Sequence, residues 1–215
     1  MVTPQPPAPA VHVSRHPLLL HKLAQLRDRS TEPALFRDLV RDLTRLVFLD
    51  AVADLRLEPV TVQTPLAPCA GHRIAERIGL MPILRAGLGM AEAILEVVPS
   101  ACVWHLGLYR DHDTLQPVTY YNKLPADLNI DLSLVLDPML ATGGSAIVAM
   151  ASLKRCGVKR LKFLGLIAAP EGLGALAKAH PDVPVYLAAL DSHLDERCYI
   201  VPGLGDAGDR QFGTR

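Results

Sequence analysis

Aromatic residues make up only 5% of this 215-residue chain, with a single tryptophan. No apolar run reaches the roughly 18 residues that a membrane helix needs, so no membrane partner is expected. Neither sign of charge is in excess: 22 basic and 22 acidic residues cancel to a formal net charge of zero. That weighs against broad electrostatic binding to nucleic acid. Cysteine is confined to Cys69, Cys102, Cys156 and Cys198, with no C-x-x-C pair. A zinc site or a disulfide framework is therefore not expected, and a reduced, cytoplasmic setting is the simplest reading. The segment Met1 to Ala10 has neither the basic start nor the apolar core of a signal peptide. Rich in proline and alanine, it reads as part of a flexible extension over residues 1–15, ahead of a single domain spanning 16–215.

What is present is enough apolar residue for a sizeable core: half of the chain is hydrophobic. Helical spacing runs from His16 to Arg29 and again, strongly, from Ala34 to Leu55, where Leu35, Leu39, Leu43, Leu46 and Val47 recur every three to four residues. Pro33 suits the start of that second helix. Val60 to Thr64 reads as a short strand ended by Pro65 and Pro68. Beyond it, short apolar runs alternate with helical patterns. Strands are expected at Met81–Leu84, Cys102–Leu108, Leu132–Leu136, Leu161–Ala169 and Val183–Leu190, and helices at Leu88–Val97, Ser145–Cys156 and Gly172–Ala179. Arg110 to Lys123, with Tyr120 and Tyr121, reads as a hairpin or protruding flap. Such alternation indicates an α/β fold with a mainly parallel sheet covered on both faces.

The segment from Leu134 reads L-V-L-D-P-M-L-A-T-G-G-S-A. Its strand ends at Asp137, and ligands of open α/β sheets bind at that carboxyl edge. Gly143 and Gly144 let the backbone approach an anion, while the free amides and positive end of the following helix favour phosphate. Thr142 and Ser145 add hydroxyls. Asp137 would repel phosphate and is better suited to accept hydrogen bonds from sugar hydroxyls. An amide nest beside such a carboxylate describes a ribose-phosphate site. The loop is neither a G-x-x-x-x-G-K-[ST] loop nor a G-x-G-x-x-G fingerprint.

Asp137 to Ser145, D-P-M-L-A-T-G-G-S, resembles the phosphoribosyl-diphosphate motif of type I phosphoribosyltransferases, in the form used by uracil phosphoribosyltransferases. Three further stretches resemble the same family: P-I-L-R-A-G-L-G-M from Pro82, G-L-Y-R-D-H-D-T from Gly107 and Y-I-V-P-G-L-G-D-A-G-D-R-Q-F-G from Tyr199. The run A-A-P-E-G at Ala168 to Gly172 adds to them. The likeness extends from His16 almost to the end of the chain.

The resemblance implies the type I phosphoribosyltransferase fold: a central, mainly parallel sheet with flanking helices, N-terminal helices, a β flap and a C-terminal hood over the base. It implies transfer of phosphoribose from 5-phospho-α-D-ribose 1-diphosphate to uracil, giving UMP and diphosphate with Mg²⁺, in pyrimidine salvage. Carried over residue by residue, the donor would be held by Arg85, Arg110, Asp137, Pro138, Met139, Leu140, Ala141, Thr142, Gly143, Gly144, Ser145 and Asp206. Uracil would lie against Ile200, Gly205, Asp206 and Ala207. Arg110 and Asp206 would act catalytically through charge and positioning, with no covalent nucleophile. The metal would be held mainly by the donor diphosphate and water, with Asp206 beside its water shell. GTP activates some members, and homodimers or homotetramers are usual. Two other classes share the fold: RNA-binding regulators, and silent nucleotide-binding domains of the kind fused to uridine kinases. The base-loop match and neutral charge weigh against the first, and the presence of Arg85, Arg110, Asp137 and Asp206 against the second. The chain departs from the family at Cys198 and Ala93, where glycine is common, and at Arg197.

Overall fold

The computed structural model describes residues 10–110, 117–122, 124–125 and 128–214, with the backbone alone at 106, 108–110 and 117–122. In chain order the elements are β1 (Val11–Val13), α1 (Pro17–Arg27), α2 (Pro33–Ala51), β2 (Leu57–Gln63), β3 (Pro68–Ile74), β4 (Ile78–Leu84), α3 (Leu88–Val97), β5 (Cys102–Val103), β6 (Leu106–Arg110) and β7 (Pro117–Asn122). They continue as β8 (Leu132–Leu136), β9 (Met139–Leu140), α4 (Gly144–Arg155), β10 (Leu161–Leu164), β11 (Ile167–Ala168), α5 (Pro170–Ala179), β12 (Val185–Leu187), β13 (Ala189–Leu190), β14 (His193–Leu194), β15 (Ile200–Val201) and α6 (Ala207–Phe212).

The main sheet runs β1-β12-β10-β8-β4-β6-β7, with β5 also paired to β4, and only the β6–β7 pair is antiparallel. Its central strands are apolar throughout because both faces are covered. Along β8 the period of two sends Leu132, Leu134 and Leu136 to one face, where they meet Leu43, Met90 and Ile94. Val135 points to the other face, with Met150, Leu153 and Leu176 of α4 and α5. On the first face α2 buries Phe36, Leu39, Val40, Leu43, Val47 and Phe48, the apolar stripe visible in the sequence.

Four expectations need correction. Residues 11–13, placed in the flexible extension, form an edge strand parallel to β12, with His12 stacked on Tyr186 at 4.5 Å. The second helix stops at Ala51, four residues short of Leu55. There Lys162, buried on β10, donates to the Ala51 carbonyl (2.6 Å) and to Asp54 (2.5 Å), so a distant side chain closes the helix end. The strand after Val60 is half of a hairpin: Pro68 begins β3 instead of ending β2, and first-strand positions tolerate proline. Thr64 organises the turn, its Oγ1 accepting the Leu66 and Ala67 amides.

The fourth correction bears on the site. The expected strands over Leu161–Ala169 and Val183–Leu190 are each broken in two. Past the break, β11 and β13 pair with β9 in a separate three-stranded sheet. Gly165 permits the bend, since a Cβ there would lie 3.0 Å from the Asp137 carbonyl and 2.8 Å from the Phe163 ring. The small sheet carries the loop after β8 along its edge.

Candidate active site

β8 delivers Asp137 to the carboxyl edge of the sheet. Its amide donates to the Leu164 carbonyl (3.3 Å) and its Oδ1 accepts the Met139 amide (3.1 Å), the carboxylate shaping the turn it begins. Met139 and Leu140 then pair with β11, so the loop is anchored as a strand before it opens. Gly143, at φ +81°, is the N-cap of α4, and no side chain caps that end. Gly143 brings no capping side chain, and the first turn of α4 lines the cleft at the positive end of a twelve-residue helix. Gly172 supports the loop from behind. A Cβ at Gly172 would sit 2.3 Å from the Ala141 carbonyl and 2.7 Å from that of Leu140. This is a physical role for the A-A-P-E-G run that spacing alone did not disclose.

The cleft in front of the loop has a volume of about 460 Å³, within the range of small-molecule sites. One wall is Asp137 with Met139 to Ala146, and the other is Arg197, Cys198, Tyr199, Ile200 and Asp206. The sheet edge and the C-terminal stretch, more than fifty residues apart in sequence, thus face each other. Pro138 and Ala207 are buried, and neither side chain lines the cleft. Ala207 has no exposed surface at all. Gly205, at φ +77°, and Gly203, at φ +64°, turn the chain in the left-handed region that favours glycine.

Asp206 caps α6, its Oδ1 accepting the Asp209 amide at 2.9 Å. Arg85, just beyond β4, donates to Asp209 Oδ1 (3.1 Å) and to Thr214 (3.3 Å), with its guanidinium 6.0 Å from the centre of the Phe212 ring. Arg85 lies outside the cleft lining, yet it and Asp206 converge on one residue. A Cβ on Gly208 would be 3.2 Å from Asp206 Oδ1 and 3.8 Å from Arg85 Nη2. Arg110 ends β6, and its side chain lies outside the described residues. The residues between β6 and β7, expected as part of a flap, also lie outside them, as do the side chains of Tyr120 and Tyr121. His105, expected inside a strand, is exposed in the gap between β5 and β6.

The C-terminal wall is held by groups that sequence reasoning passed over. Asp191 forms a two-pronged pair with Arg27 (2.5 and 2.8 Å) and accepts the Gly203 amide, while Arg27 also donates to the Gly203 carbonyl (2.7 Å). Arg210 donates to the carbonyls of Leu26, Leu204 and Asp28 and lies 4.3 Å from the centre of the Phe36 ring. Burial holds the Arg210 pKa below its usual value, with Asp28 opposing that shift. Gln211 donates to the Ala86 carbonyl (2.9 Å), latching α6 to the turn after β4. Single arginines joined to carbonyls across the chain leave no periodic signal in a sequence.

The family model described as uracil phosphoribosyltransferase matches residues 13–214. A uracil phosphoribosyltransferase of Roseiflexus castenholzii is 65% identical over 204 residues, covering 95% of this chain and 98% of that one. One from Listeria monocytogenes is 53% identical over 206 residues, covering 95% and 99%. Among solved structures, the AQ2163 protein of Aquifex aeolicus superposes with a TM-score of 0.89 at 35% identity, over 95% of this chain and 98% of that chain. A hypoxanthine-guanine phosphoribosyltransferase of Bacillus anthracis superposes at 0.50 with 12% identity, over 72% and 78%, a likeness of fold alone.

Proposed function

The chain belongs to the uracil phosphoribosyltransferase family, with the type I phosphoribosyltransferase fold, and from that premise we propose that it transfers phosphoribose from 5-phospho-α-D-ribose 1-diphosphate to uracil, yielding UMP and diphosphate in pyrimidine salvage. The observation that carries the reading is a single cleft walled by the glycine-capped N-terminus of α4 on one side and by residues of the Tyr199–Asp206 stretch on the other.

The α4 amides, with Thr142 and Ser145, hold the 5′-phosphate, and Asp137 accepts hydrogen bonds from the ribose hydroxyls. Uracil lies along Ile200 and Gly205 to Ala207, where backbone donors and acceptors meet the pyrimidine edge. A donor facing the uracil carbonyl would reject cytosine, whose amino group would leave it unpaired. As the anomeric carbon parts from diphosphate, negative charge grows on the leaving group. Arg85 and Arg110 stabilise it, Arg85 exchanging Asp209 for diphosphate. A uracil nitrogen attacks the sugar carbon, so the protein supplies position and charge and forms no covalent bond. The Asp206 carboxylate, which lines the cleft, fits the water shell of a hard cation held mainly by the substrate phosphates. Bound Mg²⁺ would neutralise charge on the departing diphosphate.

The hairpin β2–β3 carries the proposed self-association. A two-stranded ribbon is marginal by itself, and this one exposes Leu57, Val62, Ile74 and, at its turn, Leu66 at 95%. A second copy of the chain covering it would give a solution mass of at least twice 23.3 kDa by light scattering, whereas a stable monomer would refute this arm of the proposal. All four cysteines are free, in keeping with the proposed cytoplasmic setting. The reaction itself is tested by incubating the chain with uracil, donor and Mg²⁺ and measuring UMP. Adding GTP to the same mixture reads out the activation known in some family members.

A further inference from the structure

Strands β14 and β15 form a hairpin whose closed end, Asp195 to Tyr199, overhangs the cleft. Asp195 organises that end internally, its Oδ1 accepting the amides of Arg197 (2.9 Å) and Tyr199 (2.8 Å). Leu194 pairs with Ile200, one of the cleft-lining residues. Among the described residues, 193–200 make one hydrogen bond outside the hairpin and its Ser192 flank: the Leu194 amide donates to Glu171 Oε1 at 3.0 Å.

Glu171 sits in the first turn of α5, next to Gly172, where an added Cβ would collide with the carbonyls of Leu140 and Ala141 in the phosphate loop. The residue capping α5, Ala169, donates its amide to the Leu140 carbonyl (3.0 Å). Hydrogen bonds from the Leu194 amide and from its own backbone amide hold the Glu171 pKa below the usual carboxylate value, with nearby His193 adding to them. The path from loop to overhang is therefore short: Ala141, Gly172, Glu171, Leu194, Ile200. Each link is a contact with backbone, where a displacement of one partner moves the other.

We propose that Glu171 is a positioning residue that joins the two halves of the cleft, so that phosphate seated in the loop from Thr142 to Ser145 orders the β14–β15 hairpin and raises affinity for the base. The proposal rests on the assignment of phosphate and base to opposite walls. It concerns the carboxylate as an acceptor of one amide, and no contact between Glu171 and substrate is required. Sites linked in this way share a coupling free energy, reciprocal between the two ligands.

Two measurements test it. In the first, hydrogen exchange of residues 193–200 is followed with and without ribose 5-phosphate, in the native chain and in Glu171→Ala. Ribose 5-phosphate should slow exchange of the Leu194 and Ile200 amides in the native chain and leave it unchanged in the variant. Equal slowing in both would overturn the proposal. This readout needs no turnover, so it stands even if uracil proves not to be the base. In the second, steady-state constants are compared for native chain, Glu171→Ala and Glu171→Gln, after melting curves confirm folding. The alanine variant should raise KM for uracil at saturating donor by about fivefold or more, the low end of typical coupling, with the donor's dissociation constant measured without uracil within about twofold. Glutamine, which keeps an acceptor oxygen, should restore most of the loss. An equal rise in that uracil-free dissociation constant, or a glutamine variant as impaired as alanine, would contradict the assigned role.

Discussion

At the scale of single residues, Asp206 and Cys198 separate chemistry from stability. Asp206 is both a cleft carboxylate and the N-cap of α6. Asparagine keeps the cap and removes the charge, whereas alanine removes both, at a cost of about 1 kcal/mol in stability. Both variants should lose turnover by about two orders of magnitude or more, and only Asp206→Ala should melt measurably earlier. Near-normal turnover in Asp206→Asn would strip the charge of its role. Cys198 adopts φ +63°, in the left-handed region that favours glycine. A side chain there costs about 1–2 kcal/mol, partly offset by the greater entropy that glycine loses on folding. Cys198→Gly should therefore raise the melting temperature, and a drop would show that the thiol's packing outweighs the backbone. The other departure, Ala93, lies buried inside α3, where alanine is a better helix former than glycine.

At the scale of elements, the loop proposed to hold phosphate is only as rigid as what stands behind it. Gly172→Ala would force the first turn of α5 away from two loop carbonyls. It should cost about 1–3 kcal/mol of stability, as overpacking does, and weaken donor binding more than tenfold by titration calorimetry, while unchanged donor affinity would free the loop from α5. A second junction ties the end of α2 to the sheet. Arg160 bridges Asp54 and Glu76, and Lys162 also reaches Asp54. Burial raises the Glu76 pKa, but the Arg56 amide, the Arg160 guanidinium and the Arg56 guanidinium together bring it below 4.5. A carboxylate depressed in the folded state stabilises above its unfolded pKa, and that contribution is lost as pH falls through the folded value. Resistance to urea should therefore hold down to about pH 4.5 and decline below it, with a shallower decline in Glu76→Gln. A decline of the same steepness in the variant would exclude Glu76 as a source.

These elements also show why some features were legible in the sequence and others were not. The helix Leu88–Val97 and the strand Leu132–Leu136 were readable to the residue because each buries its side chains against neighbours on a regular period. The loop from Asp137 was readable as a strand-to-helix junction because its glycines and hydroxyls follow a buried apolar strand, and phosphate remains our proposal for its ligand. The breaks at Gly165 and Ala188, the helix end at Ala51 and the strand at Val11 were not, since each is decided by a partner far along the chain. The same holds for α6, hidden in a glycine-rich run that reads locally as loop, and for the anchoring of its flank by Arg27 and Asp191.

At the scale of the whole molecule, a mainly parallel sheet gathers the ends of β4 and β8 at one edge, and the C-terminal stretch folds back over that edge. We propose phosphate for one wall of the cleft and a flat base for the other, the two groups that the reaction of the chain's family joins. Purified chain mixed with uracil, 5-phospho-α-D-ribose 1-diphosphate and Mg²⁺, and followed by chromatography, tests that union most directly. Formation of UMP with equimolar diphosphate, and no CMP when cytosine replaces uracil, is the predicted result; donor that binds the folded chain but never yields UMP would contradict it.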